Sequence, residues 1–264
     1  LMTTKLIGSG TAIKQHFYQS RNVALWPCKE YQMMMSNNDT SDSPKVFEEF
    51  VFESASFPSC HAATILELPD GELLCAFFGG TAESDPDVEI RLARKPPDGA
   101  WTAPVSVADG VESDAKGVES GSERLSTGNP VLFQEREGEV MLFYKVFKPG
   151  SEFMGRVKTL SDGGHTWSEA RKVGDGLLGP VKNKPIQLDD GTILSPSSIE
   201  DSHGWRVHIE HSTDGGNTWK FIGPINPRAK IGAIQPTLLT FPDGRIQMLC
   251  RTQSEHGFIA QSWS

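Results

Sequence analysis

Short apolar runs alternate with polar turns along most of the chain. The first four runs with strand-like alternation cover residues 61–68, 72–79, 87–94 and 101–107. Between the first two runs lies Leu68-Pro69-Asp70-Gly71, which favours a tight hairpin because glycine readily adopts a positive φ. No long amphipathic helical pattern occurs. The pattern predicts an all-β chain in which these four strands form one antiparallel unit.

The same unit recurs further along the chain. Equivalent turns are found at Leu188-Asp189-Asp190-Gly191 and Phe241-Pro242-Asp243-Gly244, each between two apolar runs. These turns and the runs beside them predict three more units of the same kind. The further units begin near Asn129, Lys184 and Gln235.

A second repeated motif sets the length of the unit. The chain reads Ser161-Asp162-Gly163-Gly164-His165-Thr166-Trp167 and later Ser212-Thr213-Asp214-Gly215-Gly216-Asn217-Thr218-Trp219, and the two tryptophans are 52 residues apart. That spacing is typical of a four-stranded propeller blade. The later copy matches Ser-x-Asp-x-Gly-x-Thr-Trp throughout and resembles the Asp box of sialidase-like β-propellers, whereas the earlier copy has Leu160 at the leading serine. The resemblance implies a six-bladed sialidase-like β-propeller, with just under four blades in this chain.

The domain boundaries follow from this pattern. Residues 46–264 are interpreted as a partial propeller that forms an open arc with unpaired sheet edges, because the fourth unit stops at Ser264 before its outer strand. Residues 1–45 show no sustained period and are interpreted as a disordered or non-native segment. The alternative is that part of this segment is a short strand that closes the ring.

Composition narrows the choice of partners. The net charge of −9 argues against nucleic acid or an anionic membrane as the partner, and no apolar run is long enough to span a membrane. Four scattered cysteines favour a reducing, cytoplasmic location over a disulfide framework. No Cys/His spacing suggests a zinc site, and no cofactor is expected.

Candidate chemistry collects at one rim of the predicted disc. If the Asp-Gly turns and Asp boxes share one rim, the other rim holds the starts of first strands and the ends of second strands, where propeller ligands bind. Each polar residue there also has a structural interpretation: a solvated loop, a core histidine or a buried salt bridge. The polar side chains predicted at this rim are His61, Glu83, Asp85, Asp87, Asn129, Lys145, Lys182, Asn183, Lys184, Glu200, Arg206, Gln235 and Arg251.

The resemblance to sialidases extends to a few of these residues. Arg251, which follows Gln235-Pro236-Thr237 and the Gly244 turn, matches an arginine of the family's carboxylate-binding triad. Gln235 stands where the family has the glutamate that activates its tyrosine nucleophile, and a neutral amide cannot act as that base. Asp87 falls near the family's acid/base aspartate. At the first blade, Phe57-Pro58-Ser59-Cys60-His61 lacks the family's arginine.

These observations predict an exo-glycosidase that acts on a terminal acidic sugar of a glycan. Arg251 with Lys182 or Lys184 is expected to bind the carboxylate, Asp87 to be the general acid, and Glu200 to be the base or an orienting group. Three alternatives remain open: an enzyme that hydrolyses or eliminates another uronate-like sugar, a non-catalytic propeller that binds glycans or proteins, and an inactive fragment. The remaining substrate contacts are assigned to His61, Asn129, Lys145, Arg206 and Gln235.

Overall fold

The structure, a computed structural model, describes residues 3–6, 48–111, 124–136, 138–148, 150, 152–161, 165–226 and 231–264. Apart from one 3-10 turn at Ser254–His256, the regular elements in these residues are strands. In chain order they are β1 (Thr3–Leu6), β2 (Ser59–Glu67), β3 (Leu73–Gly80), β4 (Glu89–Lys95), β5 (Val105–Ala108), β6 (Ser126–Gln134), β7 (Val140–Phe147), β8 (Met154–Ser161), β9 (Thr166–Trp167), β10 (Arg171–Lys172), β11 (Ile186–Gln187), β12 (Ile193–Asp201), β13 (Gly204–Ser212), β14 (Lys220–Ile222), β15 (Ala233–Thr240), β16 (Ile246–Thr252) and β17 (Ile259–Trp263).

The strands form four antiparallel sheets, which are the blades of a propeller. Blade one is β2-β3-β4-β5, and blade three is β11-β12-β13-β14. Blade two is β6-β7-β8, with β9 and β10 both paired to β8. In blade four, β15-β16-β17 is followed by β1, which pairs with β17 in place of an outer strand from the same repeat. The predicted all-β, sialidase-like propeller with just under four blades is confirmed.

Few residues of the N-terminal segment, 1–45, are described by the structure. Within residues 1–45 the structure describes only β1, which adds to the edge of blade four. The rest of the segment interpreted as disordered or non-native lies outside the described residues.

The Asp-Gly turns share one geometry in three blades. Gly71, Gly191 and Gly244 have φ values of 86°, 87° and 83°, a region that side chains disfavour. In the first turn, the Asp70 carboxylate accepts a hydrogen bond of 3.0 Å from the backbone N–H of Glu72. The turns in blades three and four contain the same Asp-to-backbone bond. These turns place the first two strands of each blade in a fixed register.

Apolar side chains between neighbouring blades form the core. One cluster joins blades one and two and includes Leu74, Ile90 and Leu142, all fully buried. A second cluster joins blades two and three, where Phe143 meets the ring edge of Trp219 at a centroid distance of 5.8 Å. A third cluster joins blades three and four. The blades therefore follow one another around the axis in chain order.

Candidate functional site

A cavity of about 430 Å³ opens at the rim opposite the Asp-Gly turns. This volume is within the range of small-molecule sites. All four blades contribute to its wall, which combines charged, amide and aromatic side chains. The lining residues are His61, Ala62, Phe78, Glu83, Ser84, Thr127, Gly128, Asn129, Lys145, Phe147, Phe153, Lys182, Glu200, Gln235 and Arg251.

The ends of the second strands supply lining residues from every blade. These are Phe78 on β3, Lys145 and Phe147 on β7, Glu200 on β12 and Arg251 on β16. Strand alternation turns successive side chains to opposite faces, so one position at each strand end can face the axis while its neighbours enter the core. Charged groups of both signs are thereby brought to one cavity.

Three first strands, and the segment that precedes β11 in blade three, supply four residues with unusual backbone conformation. Ala62, Asn129, Lys182 and Gln235 have φ values of 56°, 46°, 71° and 52°, and all four line the cavity. In blades one, two and four the strand pairing shifts register at this point, as at a β-bulge. A non-glycine residue in this region costs on the order of 1 kcal/mol, and such residues cluster at functional sites.

The bulge in blade four is held by blade three. The side-chain amide of Asn183 donates hydrogen bonds of 2.8 and 3.1 Å to the backbone carbonyls of Gln235 and Pro236. The backbone N–H of Gln235 donates to the hydroxyl of Ser198 at 3.2 Å. Gln235 is therefore a fixed part of the cavity wall, and Asn183 supports it from behind.

Lys145 is the most deeply buried charge at the cavity, with 1% of its surface exposed. Its ammonium lies 4.2 Å from the centroid of the Phe153 ring, a favourable cation–π distance. Burial lowers the pKa of Lys145 to about 8, and attraction to the Glu200 carboxylate partly opposes this shift. The ammonium is thus costly to keep charged unless an anion is nearby.

Two more cations reach the same cavity. Burial also lowers the pKa of Lys182 below its ordinary value. The Arg251 guanidinium lies over the Trp205 ring, 5.3 Å from its centroid, which fixes the side chain from one side. Together with Lys145 they face two carboxylates, Glu83 and Glu200, so the cavity carries an excess of positive charge in a chain of net charge −9.

Blade one contributes a histidine and a carboxylate. Nδ1 of His61 lies 3.4 Å from a carboxylate oxygen of Glu83, and both side chains are more than half exposed. The ring edge of His61 meets Phe78 at a centroid distance of 5.6 Å and an interplanar angle of 75°. The alternative of a core histidine does not apply to His61.

Three of the residues expected to bind or act on the substrate lie elsewhere, and Asp85 and Asn183, also expected at this rim, do not line the cavity either. The Asp87 carboxylate accepts hydrogen bonds from the backbone N–H and the hydroxyl of Thr81, which hold its pKa below the ordinary range. The Arg206 guanidinium forms an ion pair with Asp201, and the Lys184 ammonium donates to the backbone carbonyl of Ile65. None of the three lines the cavity. The structure therefore does not support placing Asp87 as general acid or Arg206 and Lys184 against the substrate.

The other residues that share a strand face with Arg206 are structural. His208 and Glu210 are buried and lie 3.0 Å apart. The Glu210 carboxylate also accepts bonds of 2.9 and 2.8 Å from the backbone N–H groups of Leu178 and Gly179. This pair fixes the loop that leads to Lys182 and does not contact the cavity.

No group of three or more His, Cys, Asp or Glu side chains suited to a metal ion occurs among the described residues. In the same part of the chain, no helix is both long and apolar enough to cross a membrane. Of the four cysteines, the structure describes Cys60, Cys75 and Cys250, and all three are free thiols.

The repeated unit of this chain matches a known protein family. The model of a BNR repeat-like domain matches residues 71–264. The chain belongs to the BNR repeat-like domain family. A comparison of the sequence with curated proteins finds no match.

Solved structures share the architecture of this BNR repeat-like domain. A protein of unknown function from Dyadobacter fermentans is 16% identical with a TM-score of 0.61, over 78% of this chain and 65% of that one. The intramolecular trans-sialidase from Ruminococcus gnavus, in complex with oseltamivir carboxylate, is 16% identical with a TM-score of 0.57, over 78% and 68%. Zg3597, a family 117 glycoside hydrolase from Zobellia galactanivorans, is 13% identical with a TM-score of 0.52, over 73% and 62%. At these identities the likeness shows the fold.

The chain matches less than two thirds of the length of the Dyadobacter fermentans and Zobellia galactanivorans proteins.

Sequence reasoning missed the aromatic part of that cavity. Phe147 and Phe153 face each other edge to face at a centroid distance of 4.8 Å, and Phe78 forms the wall at blade one. Phe147 ends a second strand, the same kind of position that identified Lys145 two residues earlier. The strand-end position is therefore a signal for Phe147 as well, although the sequence prediction at this rim names only polar side chains.

Proposed function

We propose that the protein acts on glycans and that its cavity binds a terminal acidic sugar, as in an exo-glycosidase of the sialidase type. The observation that carries the proposal is the convergence of three cations, Lys145, Lys182 and Arg251, from three different blades on one cavity. A sugar carboxylate would neutralise this excess of positive charge, and the cavity volume of about 430 Å³ suits one or two sugar rings.

Arg251 is proposed to bind the carboxylate directly. A guanidinium offers a planar fork of donors that matches a carboxylate, and its charge persists at any working pH. Lys182 from blade three and the buried Lys145 from blade two add positive charge. Asn129 and Gln235 are neutral amides held at bulges, and they would bind sugar hydroxyls by hydrogen bonds.

Glu200 is proposed as the carboxylate that acts on the reacting centre. It lies at the end of β12 on the cavity wall, close enough to Lys145 for their charges to interact. A carboxylate at this place on the cavity wall could accept a proton from an attacking water. Asp87 is not carried into the proposal, because its oxygens already accept bonds from Thr81.

One experiment tests the binding half of the proposal. Arg251→Ala should weaken binding of free sialic acid or glucuronic acid by about 10- to 100-fold, since hydrogen bonds to charged groups contribute about 1.5–3 kcal/mol. The matched control is Arg245→Ala: Arg245 also lies over a tryptophan, 5.0 Å from the Trp263 ring centroid, but at the opposite rim. Calorimetric titration of the full chain measures both affinities.

The catalytic half is tested with fluorogenic glycosides of the same acidic sugars, with neutral glycosides for comparison. Release from an acidic glycoside that Glu200→Gln abolishes would support a glycosidase. If no acidic sugar binds, or if Arg251→Ala and Arg245→Ala behave alike, the acidic-sugar proposal is wrong.

A non-catalytic glycan-binding propeller is the second candidate, and Gln235 favours it. The resemblance to sialidases places a catalytic glutamate at that position, and the amide found there cannot act as a base. This candidate predicts binding that depends on Arg251 with no release from any glycoside.

A further inference from the structure

We infer that His61 and Glu83 form an acid–base pair on the blade-one side of the cavity. In this pair, His61 exchanges a proton with the glycosidic oxygen, and Glu83 positions the imidazole. The inference rests on the proposed function, because it assigns the proton donor that hydrolysis of a glycoside requires. It is carried by three observations: the orientation of His61, the construction of the loop that holds Glu83, and the distribution of charge around the cavity.

The imidazole of His61 is oriented by two neighbours. Glu83 approaches Nδ1 at 3.4 Å, and Phe78 meets the ring edge to face. With Nδ1 directed at a carboxylate, Nε2 is the ring nitrogen left to exchange a proton with a bound ligand. Such contacts are often long in a free enzyme and shorten when substrate binds.

The backbone also fixes the position of His61. The next residue, Ala62, has a φ of 56°, and the pairing of β2 with β3 shifts register between His61 and Thr64. This bulge is the blade-one equivalent of the bulges that present Asn129 and Gln235 to the cavity. Ala62 itself lines the cavity with only a methyl group.

The loop that holds Glu83 is constructed to stay in place. Asp87 accepts hydrogen bonds from the backbone N–H of Thr81 at 3.0 Å and from its hydroxyl at 2.8 Å, so the two ends of the loop are tied together. The hydroxyl of Thr127 on blade two donates to the carbonyl of Val88 at 2.9 Å. Inside the loop, Ser84 has a φ of 76° and lines the cavity. A solvent-exposed Glu83 with no function would not need a loop held by these hydrogen bonds. Asp87 is therefore a positioning residue for Glu83.

The charges around the cavity are unevenly distributed. Lys145, Lys182 and Arg251 come from blades two, three and four, whereas blade one lines the cavity with His61 and Glu83 and with no lysine or arginine. A sugar whose carboxylate binds the cations would present another part of its ring to blade one. The residue able to transfer a proton is therefore on the side where the carboxylate is not bound.

The step balances as a hydrolysis. The bond between the anomeric carbon and the glycosidic oxygen breaks, and its electron pair goes to the oxygen, which takes a proton from Nε2 of protonated His61. A water oxygen forms the new bond to the anomeric carbon, and the proton it loses passes to Glu200. Solvent then returns one proton to His61 and removes one from Glu200, so the net change is the addition of one water molecule.

The test uses two glycosides of the same acidic sugar, one with a nitrophenyl and one with an alkyl leaving group. A nitrophenolate departs without being protonated, whereas an alkoxide needs the proton. His61→Gln should lower kcat/KM for the alkyl glycoside by about 10²- to 10⁴-fold and for the nitrophenyl glycoside by about 10-fold or less. Glu83→Gln should show the same discrimination with a smaller loss.

The controls are Glu67→Gln, at the opposite end of the strand that carries His61, and His165→Gln, an exposed histidine in the first Asp box. Both should leave the two rates unchanged. Thermal unfolding of each variant confirms that the fold is retained, and a merely structural role for His61 would lower both rates equally.

The outcomes separate the two proposals. Equal loss on both glycosides, or no loss in His61→Gln, would overturn the acid–base pair while release by the wild-type chain still supports the proposed function. If the wild-type chain releases neither leaving group, the hydrolytic function and the pair are both wrong, and binding sensitive to Arg251→Ala would then favour the binding propeller.

Discussion

At the scale of single residues, the burial of Lys145 at the cavity lowers the stability of the fold. It sits on β7 among Phe143, Tyr144 and Val146, in a strand whose other members are largely buried and apolar. A buried ammonium loses its hydration, and contact with the Phe153 ring replaces only part of it. A side chain selected for stability alone would be apolar at this position. Lys145 is better explained by an anionic ligand than by packing.

Lys145→Met should separate binding from stability. We expect the affinity for an acidic sugar to fall by about 10- to 100-fold near neutral pH, because a charge-assisted contact is lost. We expect the Tm to stay the same or rise, because methionine needs no hydration. Calorimetric titration and thermal unfolding measure the two effects. A large loss of Tm with unchanged affinity would show that Lys145 is structural.

The Lys145 ammonium also predicts that the affinity for an acidic sugar depends on pH. Only protonated Lys145 attracts a carboxylate, and its pKa is about 8, so wild-type affinity should fall as the pH rises through that value. Burial also lowers the pKa of Lys182, so some pH dependence of binding should remain in Lys145→Met. Above pH 8 the folded wild-type chain binds fewer protons than the unfolded chain, so its stability rises with pH. The difference in Tm between the wild-type chain and Lys145→Met should therefore become smaller there.

At the scale of elements, the sequence predicts features that depend on neighbouring residues and does not predict those that depend on contacts formed in the fold. The strand predicted at 61–68 is observed at Ser59–Glu67, because the Asp-Gly turn that ends it depends only on its own residues. The bulge at Ala62 could not be foreseen, since alanine does not mark a positive φ and the register shift depends on pairing with β3. Asp87 was assigned by resemblance, but its partner Thr81 is found only when the loop is closed in three dimensions.

The described Asp box is a clear case of an element stabilised by one carboxylate. Asp214 accepts hydrogen bonds from the backbone N–H groups of Asn217 and Thr218 at 3.1 and 2.9 Å, and from the Thr218 hydroxyl at 2.6 Å. The indole N–H of Trp219 donates to the carbonyl of Gly216 at 3.0 Å, which brings the ring into the core beside Phe143. The central part of the first copy, residues 162–164, lies outside the described residues.

Asp214→Asn should lower the Tm by about 2–4 °C, because an amide accepts fewer of these hydrogen bonds than a carboxylate. The bonds, those from Thr218 foremost, lower the pKa of Asp214 to about 2 from an ordinary value of 3.8. This contribution to stability is therefore present above about pH 4 and is lost as the pH falls towards 2. Thermal unfolding across this range should show a shallower acid dependence in Asp214→Asn. Asp98→Asn, an exposed turn residue, is the control, and equal curves for both variants would contradict the prediction.

At the scale of the whole molecule, three consecutive residues link the cavity to the arrangement of the blades. Lys182 lines the cavity, Asn183 donates to the backbone of blade four, and Lys184 donates to the carbonyl of Ile65 on blade one. Blade three is thereby connected both to its neighbour and, by Lys184, to a blade that is not adjacent in the chain. A short segment with a positive φ at Lys182 performs all three tasks. Substitution of Lys182 should therefore affect ligand binding, and substitution of Lys184 should affect the contact between the blades.

Lys184→Met and Lys182→Met test this separation. Lys184→Met removes a hydrogen bond between blades three and one, and because the side chain is partly exposed to solvent we expect a loss of about 1 kcal/mol, or about 2–4 °C in Tm. Its affinity for the acidic sugar should change by less than about 3-fold. Lys182→Met should do the reverse, with a Tm near that of the wild-type chain and an affinity lowered about 10-fold or more. Identical effects of the two variants on both quantities would show that the cavity and the contact between blades form one inseparable unit.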